Sequence, residues 1–382
     1  MEFTKPQSWI PIESENVKFV IANRIRKLWN LPHSNVPTFI GSNPVSLLES
    51  HVYDFLKREE YVITEKTDGF RFFLCFFVMT NVNTKQKTRI TTFINRKMDI
   101  YVAPYECILD RPQIYAGTIL DGELALNIQK SNLAKRPQYD FLCFDCVASE
   151  GRGCTTLPYS QRLELCREAL KNIQVTPSEQ GLEIIHSSPS ARPSMDSIQT
   201  NDTLDVTLLC KKTYPLDEMM HVMHDVIPNQ SYFNDGLIFT GEHREMMPNR
   251  NHFQFKWKSR NQHYVDFLIR PKARKHQVHA SLLKILYFEF WCMDKKNLVL
   301  YLDYVPLHFS NFCFLGFTDL NDFYKSDYIV EMAHDPDTHT WKPVRLRNDK
   351  EFPNDSYTIH ITIENIRENL SPEKICSIIS SK

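Results

Sequence analysis

Between Tyr61 and Val147 the chain repeats one pattern, short runs dense in β-branched and aromatic residues, each closed by turn chemistry. The runs are Tyr61–Thr64, Arg71–Met79, Arg89–Asn95, Thr118–Leu126 and Tyr139–Val147. Such residues fit a pleated, half-buried surface, so the pattern predicts a strand-rich body. A second series, Tyr264–Ile269, Leu282–Trp291, Leu298–Tyr304 and Tyr328–Ala333, predicts a separate antiparallel unit of about five strands, the size of a small Greek-key barrel. Helical periodicity is confined to a few stretches. In Glu15–Asn30 it sets Val17, Val20, Ile21, Ile25 and Leu28 near one face, and in Pro158–Asn172 it sets Leu163, Cys166 and Leu170. Asn43–Leu56 and Tyr357–Ile379 also read as helical, and Ser187–Thr203 reads as a mobile surface loop. The fold class is α+β, with residues 1–262 as a first domain, 263–356 as a second, and the C-terminal helical stretch 357–382 packing back on the first.

Composition narrows the function. The 382 residues are 42% hydrophobic and 24% charged, which excludes disorder and collagen. Lys and Arg total 45 against 46 Asp and Glu, so no global basic excess holds a polyanion, and any such site must be local. Arg270–His276 is one local basic run, read as a solvated loop before a nuclear-import or RNA contact. The apolar stretches Phe72–Met79 and Leu282–Trp291 are too short or too interrupted to span a bilayer, and no secretory signal opens the chain, so we expect an intracellular protein without a membrane partner. Of the ten cysteines, most have apolar neighbours and read as core thiols. Cys143-x-x-Cys146 is half a zinc pattern without a second half, inside a strand-like run.

The first chemical candidate is Glu65-Lys66-Thr67-Asp68-Gly69-Phe70-Arg71. An isolated Lys-x-Asp-Gly is more often a charged hairpin turn, but Lys-x-Asp-Gly-x-Arg occurs by chance at roughly one position in 10⁵. Downstream follow Leu120-Asp121-Gly122-Glu123-Leu124, Phe144-Asp145, Asp235-Gly236-Leu237-Ile238-Phe239-Thr240, Phe255-Lys256-Trp257-Lys258 and a distal block from Trp341 to Asn354. An attacking lysine must be neutral, and nearby cations or burial achieve that; Lys256 and Lys258 are available cations that would also neutralise phosphate. Glu123 and Asp235 are hard oxygen donors suited to Mg²⁺ or Mn²⁺. Arg71 and Arg96 offer planar forks for ribose and phosphate.

In content and order these blocks resemble the motifs of the covalent nucleotidyltransferases, the superfamily of DNA ligases, RNA ligases and mRNA capping guanylyltransferases. Phe39-Ile40-Gly41-Ser42-Asn43-Pro44-Val45-Ser46-Leu47 resembles a segment of the capping branch, with Ile40 in place of its usual proline, and the distal block is similar to the capping form of the last motif. The resemblance implies a DNA ligase-type (ATP-grasp-like) domain with a C-terminal OB-fold barrel. It implies Lys66 as the nucleophile that forms a covalent Lys-GMP from GTP, and transfer of GMP to the 5′-diphosphate end of RNA. Lys66, Lys256, Lys258 and Asp235 become catalytic residues. Glu65, Thr67, Arg71, Arg96, Glu123, Phe144, Lys211, Asp266, Arg345, Asp349 and Lys350 become nucleotide contacts, with Glu123 and Asp235 at the metal. Phe144 would stack on the purine, and Lys211, preferred over Lys212, would face the guanine carbonyl. Asp266 matches a residue that begins the second domain, or is a charge at a strand end. For the first step the barrel would close, bringing Arg345, Asp349 and Lys350 to the outer phosphates. The resemblance further implies a nuclear enzyme, a separate RNA triphosphatase, since no phosphatase loop precedes Lys66, and the RNA polymerase II C-terminal tail as a partner. An ATP-dependent polynucleotide ligase and an inactive RNA-binding scaffold are the alternatives.

Overall fold

The run Phe72–Phe77 holds no polar residue, so a strand built from it must be buried on both faces. In the computed structural model, which describes residues 3–6, 8–80, 84–103, 105–107, 111–171, 173–175, 206–272, 285–308 and 326–381, this run lies in β4 (Phe70–Thr80). Phe72, Leu74 and Phe76 enter one apolar core with Phe93, Leu120 and Phe141. Phe73, Cys75 and Phe77 enter a second with Ile90, Ile94 and Ile119.

Two compact units divide the chain, Met1–Val45 with Arg58–Trp257 and Ser46–Lys57 with Lys258–Lys382. In the first unit, β4 is joined by β1 (Ile10–Pro11), β5 (Lys87–Asn95), β6 (Ile100–Ala103), β8 (Thr118–Leu126), β9 (Tyr139–Ser149), β10 (Arg152–Gly153) and β12 (Val206–Cys210). The order is β1–β6–β5–β4–β8–β9–β10, with β12 added parallel to β9. A smaller sheet has β2 (Ser42–Ser46), β3 (Tyr61–Thr67), β13 (Tyr214–Pro215), β14 (Asn234–Gly241) and β15 (Asn249–Trp257), in the order β13–β3–β14–β15–β2. β7 (Tyr105–Cys107) and β11 (Ile173–Val175) pair separately. Helix α1 (Glu15–Leu28) closes the second core with Ile21, Ala22 and Ile25, while Val20, expected on that face, is 52% exposed. The stretch expected to be helical from Asn43 to Leu56 splits into β2, a one-turn helix α2 (Glu49–His51) and a π-turn at Val52–Leu56. Pro44 is the reason: it disfavours helix at Asn43 and donates no hydrogen bond, which an edge strand tolerates. Short helices α3 (Ile128–Ala134) and α5 (Met219–His221) fill connections, and α4 (Tyr159–Leu170) packs on β9 and β12.

The second unit is an antiparallel sheet of β16 (Tyr264–Pro271), β17 (Ile285–Asp294), β18 (Asn297–His308), β19 (Tyr328–Asp335) and β20 (Thr340–Leu346), ordered β18–β17–β16–β19–β20. Its strand count matches the expected barrel, but among the described residues β18 and β20 do not pair, so the sheet is open. Phe267, Phe290 and Trp341 lead its core, with Trp341 edge-on to Phe267 at 5.0 Å. The C-terminal stretch is two helices, α6 (Ser356–Glu368) and α7 (Pro372–Ser380). The break is chemical: Asn369 turns left-handed at φ 45°, Ser371 caps the Lys374 amide, and Pro372 opens α7. These helices group with Ser46–Lys57 in the second unit. Ile359 lies in its core, Asn365 donates to the Leu47 carbonyl and Lys374 pairs with Glu49. The expected loop 187–203 and residues 273–276 of the basic run lie outside the described residues.

At Gly122 an added Cβ would sit 2.4 Å from Cζ of the buried Phe141 and 2.9 Å from the Leu142 carbonyl oxygen. Gly122→Ala is expected to cost about 1–3 kcal/mol by overpacking, read as a lower urea midpoint at unchanged slope.

Candidate active site

Lys66 lies on β3 of the smaller sheet, and the next strand, β4, belongs to the larger one. Asp68-Gly69 is therefore a crossing between sheets and not a hairpin. Its backbone is tied by the Asp68 amide to the Phe233 carbonyl at 2.8 Å. Gly69 is required because a Cβ there would meet the Leu124 carbonyl oxygen at 2.6 Å and Glu123 Cγ at 2.9 Å. The other Asp-Gly pairs are not turns either. Asp121-Gly122 is mid-strand in β8, and Asp235-Gly236 sits at an irregularity of β14 where Gly236 takes φ 144°.

That irregularity sets Asp235 beside Lys66, with Lys66 Nζ donating to Asp235 Oδ1 at 2.5 Å. Lys256 on β15 is in register with Ile238, which is in register with Thr64. Directly paired residues share a face, and so do residues two apart in a strand, so Lys256 and Lys66 lie on the same face of the sheet. Lys258 falls after the end of β15 and is grouped with the second unit.

Beneath Lys66 sits Lys211, which follows β12 and is 7% exposed. Its amide donates to the Cys143 carbonyl, and its ammonium to the Glu65 carbonyl at 2.8 Å and Thr67 Oγ1 at 2.7 Å. Burial lowers the Lys211 pKa, aided by Lys66 and opposed by Glu65 and Glu123. Lys212 is exposed, so of the two it is Lys211 that reaches the Lys66 strand. Glu65 is buried too, and its Oε2 has no hydrogen-bond partner.

Arg71, expected to present its fork outward, has it taken by Asp121: Nε donates to Oδ1 at 2.9 Å and Nη2 to Oδ2 at 2.5 Å. Burial opposes the charge, yet Asp121 outweighs it and the Arg71 pKa rises. The remaining Nη1 donates to Asn43 Oδ1 at 3.0 Å, which also accepts from the exposed Arg96 at 3.4 Å. Phe144 is half-buried with its ring 5.6 Å from the Arg71 guanidinium carbon. Asn43 was not singled out in the sequence. The available signal was its place in the Phe39–Leu47 segment, next to a proline that forces an extended strand.

Glu123 pairs across strands with Arg71 and collects the charges of the site. Desolvation pushes its pKa up to about 7, against the pull of Arg71, Lys211, Arg96 and Lys66. Among the described residues no three His, Cys, Asp or Glu side chains are arranged to hold a metal ion. Glu123 and Asp235 are hard oxygen donors near Lys66 and do not form a closed cage, which fits a Mg²⁺ or Mn²⁺ that takes its other oxygens from a phosphate.

The other expected residues pair among themselves in the second unit. Asp266 accepts from Arg347 at 2.9 Å and from Lys350, Arg345 pairs with Glu331 at 2.8 Å, and Asp349 pairs with Arg347 at 2.8 Å. Each of these cations already holds a carboxylate, so a phosphate drawn to them must compete with one or use the remaining N–H donors.

The comparisons fall in line with this arrangement. The pattern of the mRNA capping enzyme catalytic domain matches residues 10–260, and that of the mRNA capping enzyme C-terminal domain matches 251–376. The protein is a member of the mRNA capping enzyme family. A relative in Schizosaccharomyces pombe, mRNA-capping enzyme subunit alpha, is 25% identical over 370 residues, covering 93% of this chain and 83% of the relative. The Saccharomyces cerevisiae protein of the same name is 25% identical over 412 residues, covering 96% and 84%. Among solved structures, mycobacterial DNA ligase D complexed with ATP and MES aligns with 82% of this chain and 98% of its own, at 11% identity and a TM-score of 0.37.

Because the folded protein binds the Glu123 proton more tightly than an unfolded chain does, this residue makes stability fall as pH rises from 4.5 to about 7. Glu123→Gln is expected to flatten that slope in urea midpoints measured across the interval.

Proposed function

We propose that the chain is an mRNA guanylyltransferase with Lys66 as its nucleophile. The observation that carries this is the Lys66–Asp235 pair at 2.5 Å with Glu123 close enough to feel the Lys66 charge. A lysine amine hydrogen-bonded to one carboxylate, with a second within electrostatic reach on the other sheet, is oriented, and the carboxylates can turn to a phosphate-bound cation when substrate arrives.

In the first step Lys66 Nζ attacks the α-phosphorus of GTP, forming a P–N bond, and the bond to the β-phosphate breaks to release pyrophosphate. The Nζ proton leaves toward Asp235, its hydrogen-bond acceptor. In the second step a terminal oxygen of 5′-diphosphate RNA attacks the same phosphorus and the P–N bond breaks, giving a 5′–5′ triphosphate cap. A divalent ion held by Glu123 and Asp235 would neutralise phosphate charge. Lys256 adds charge on the Lys66 face. Phe144 offers a ring for the purine, stiffened by Arg71 behind it. Lys211, whose ammonium is held by the Glu65 carbonyl, Thr67 Oγ1 and the Glu65 carboxylate, is the lysine that would face the guanine carbonyl oxygen. Fungal relatives named as an alpha subunit support a partner protein, for which we propose an RNA triphosphatase, and capping of nascent RNA makes the nucleus the expected location.

The test is incubation with α-labelled GTP or ATP and Mg²⁺, followed by denaturation. Acid-labile label from GTP alone, absent in Lys66→Ala, is expected; label from ATP instead, or label that survives the substitution, would refute the assignment. Phe144→Ala is expected to raise KM for GTP roughly tenfold, in keeping with about 1–3 kcal/mol for base stacking.

A further inference from the structure

Half of the ten cysteines converge on one spot of the first unit. β8 and β9 carry a bulge: Asp121 faces Asp145 while Gly122 faces Cys143, leaving Phe144 unpaired. The extra residue puts Cys143 and Cys146 on one side of β9, in the core that also holds Cys154 and Cys166. Cys210 ends β12, in parallel register with Cys143. Cys166, on α4, lies in the same core, and α4 packs on both β9 and β12. Four of these thiols are buried, whereas Cys210 is partly exposed. The group is a thiol network and not a metal cage, since no such set among the described residues is arranged for an ion.

We propose that Cys210 and Cys166 form an oxidation site for hydroperoxides, closing to a disulfide that weakens the neighbouring active site. Access and a resolving partner are the two requirements of such a site, and both are met here. Cys210 is the partly exposed member of the group, and α4, which carries Cys166, packs on the strand that ends in Cys210. Cys166 and the nearby Arg167 favour thiolate at Cys210, against Glu164, Asp145 and burial, while burial pushes Cys166 up. The Cys210 thiolate attacks one oxygen of the hydroperoxide and the O–O bond breaks. Sulfur is oxidised to sulfenic acid, and the departing alkoxide takes the Cys210 proton to leave as an alcohol, or as water from hydrogen peroxide. Cys166 then attacks the sulfenic sulfur; the S–S bond forms, the S–O bond breaks, and hydroxide leaves as water with the Cys166 proton. In total two thiols and one hydroperoxide give a disulfide, an alcohol and water.

The consequence runs through the next residue. Lys211 follows Cys210 and holds the backbone of Glu65 and the side chain of Thr67, on either side of Lys66. Pinning the end of β12 to α4 pulls on that lysine. Displacing a positioning group by about 1 Å can cost on the order of a hundredfold in rate.

The activity arm of the test rests on the guanylyltransferase reading, but the chemical arm does not. The full chain is treated with hydrogen peroxide, alkylated and digested, and Cys166–Cys210 linked peptides are sought by mass spectrometry. In parallel, Lys66 labelling by GTP is measured before peroxide, after it, and after dithiothreitol. The expected result is the linked peptide, a roughly tenfold loss of labelling and recovery on reduction. Cys210→Ser should label normally and resist peroxide, and Cys166→Ser should accumulate a dimedone-reactive sulfenic acid at Cys210. Absence of the linked peptide, or a different pair such as Cys146–Cys154, overturns the site even where no variant folds. A linked peptide with unchanged labelling overturns the coupling. Absence of labelling in the untreated protein counts against the guanylyltransferase reading alone.

Discussion

The first unit turns on a single buried guanidinium. Arg71 is 8% exposed, so its charge must be matched in place, and Asp121 does this with two parallel hydrogen bonds. Removing one partner of such a pair typically costs about 3–5 kcal/mol, because the other charge is left buried and alone. The same guanidinium ties the larger sheet to β2 of the smaller one through Asn43, and its faces meet Phe144 and Phe39. One side chain therefore fixes the spacing of the two sheets that carry Lys66 and Glu123, and sets the aromatic ring beside them. Gly41 belongs to this arrangement, since a Cβ there would stand 2.8 Å from Arg71 Nη2.

Departures from regular strand geometry do as much as the strands. A bulge in β14 sets Asp235 on Lys66, and a bulge in β9 turns Phe144 toward Arg71 while gathering cysteines behind it. Asp145, displaced by the same bulge, is neutralised by Arg162 of α4 at 2.7 Å, a second buried ion pair that holds the helix against β9. The aromatic at the site and the thiols in the core are consequences of one inserted residue. This places chemistry on both sides of a strand that regular alternation would have split differently.

Charge in the site is balanced tightly. Desolvation raises the carboxyl of Glu123 and lowers the amine of Lys211, each against the pull of opposite charges nearby. Groups so poised change protonation at low cost when a charged ligand enters.

By itself the sequence determined the class of fold and singled out the candidate reacting groups. The aromatic and β-branched runs could only be strands, and the ordered blocks around Lys66, Glu123, Asp235 and Lys256 named the site, because composition and short-range spacing record local propensity and chemistry. It did not determine what depends on distant contacts. The Asn43–Leu56 stretch has apolar residues at helical spacing, yet the pairing of β2 with β15 and the constraint of Pro44 made its first part an edge strand. The C-terminal helices carry an amphipathic pattern that fits any apolar surface, and the packing of Ile359 with the ties of Asn365 to Leu47 and Lys374 to Glu49 decided where they lie. Arg71 read as a free fork because its partner lies fifty residues away by sequence and adjacent only by strand pairing. The meeting of cysteines from β9, α4 and β12 was likewise set by register and helix packing, which spacing along a chain does not encode.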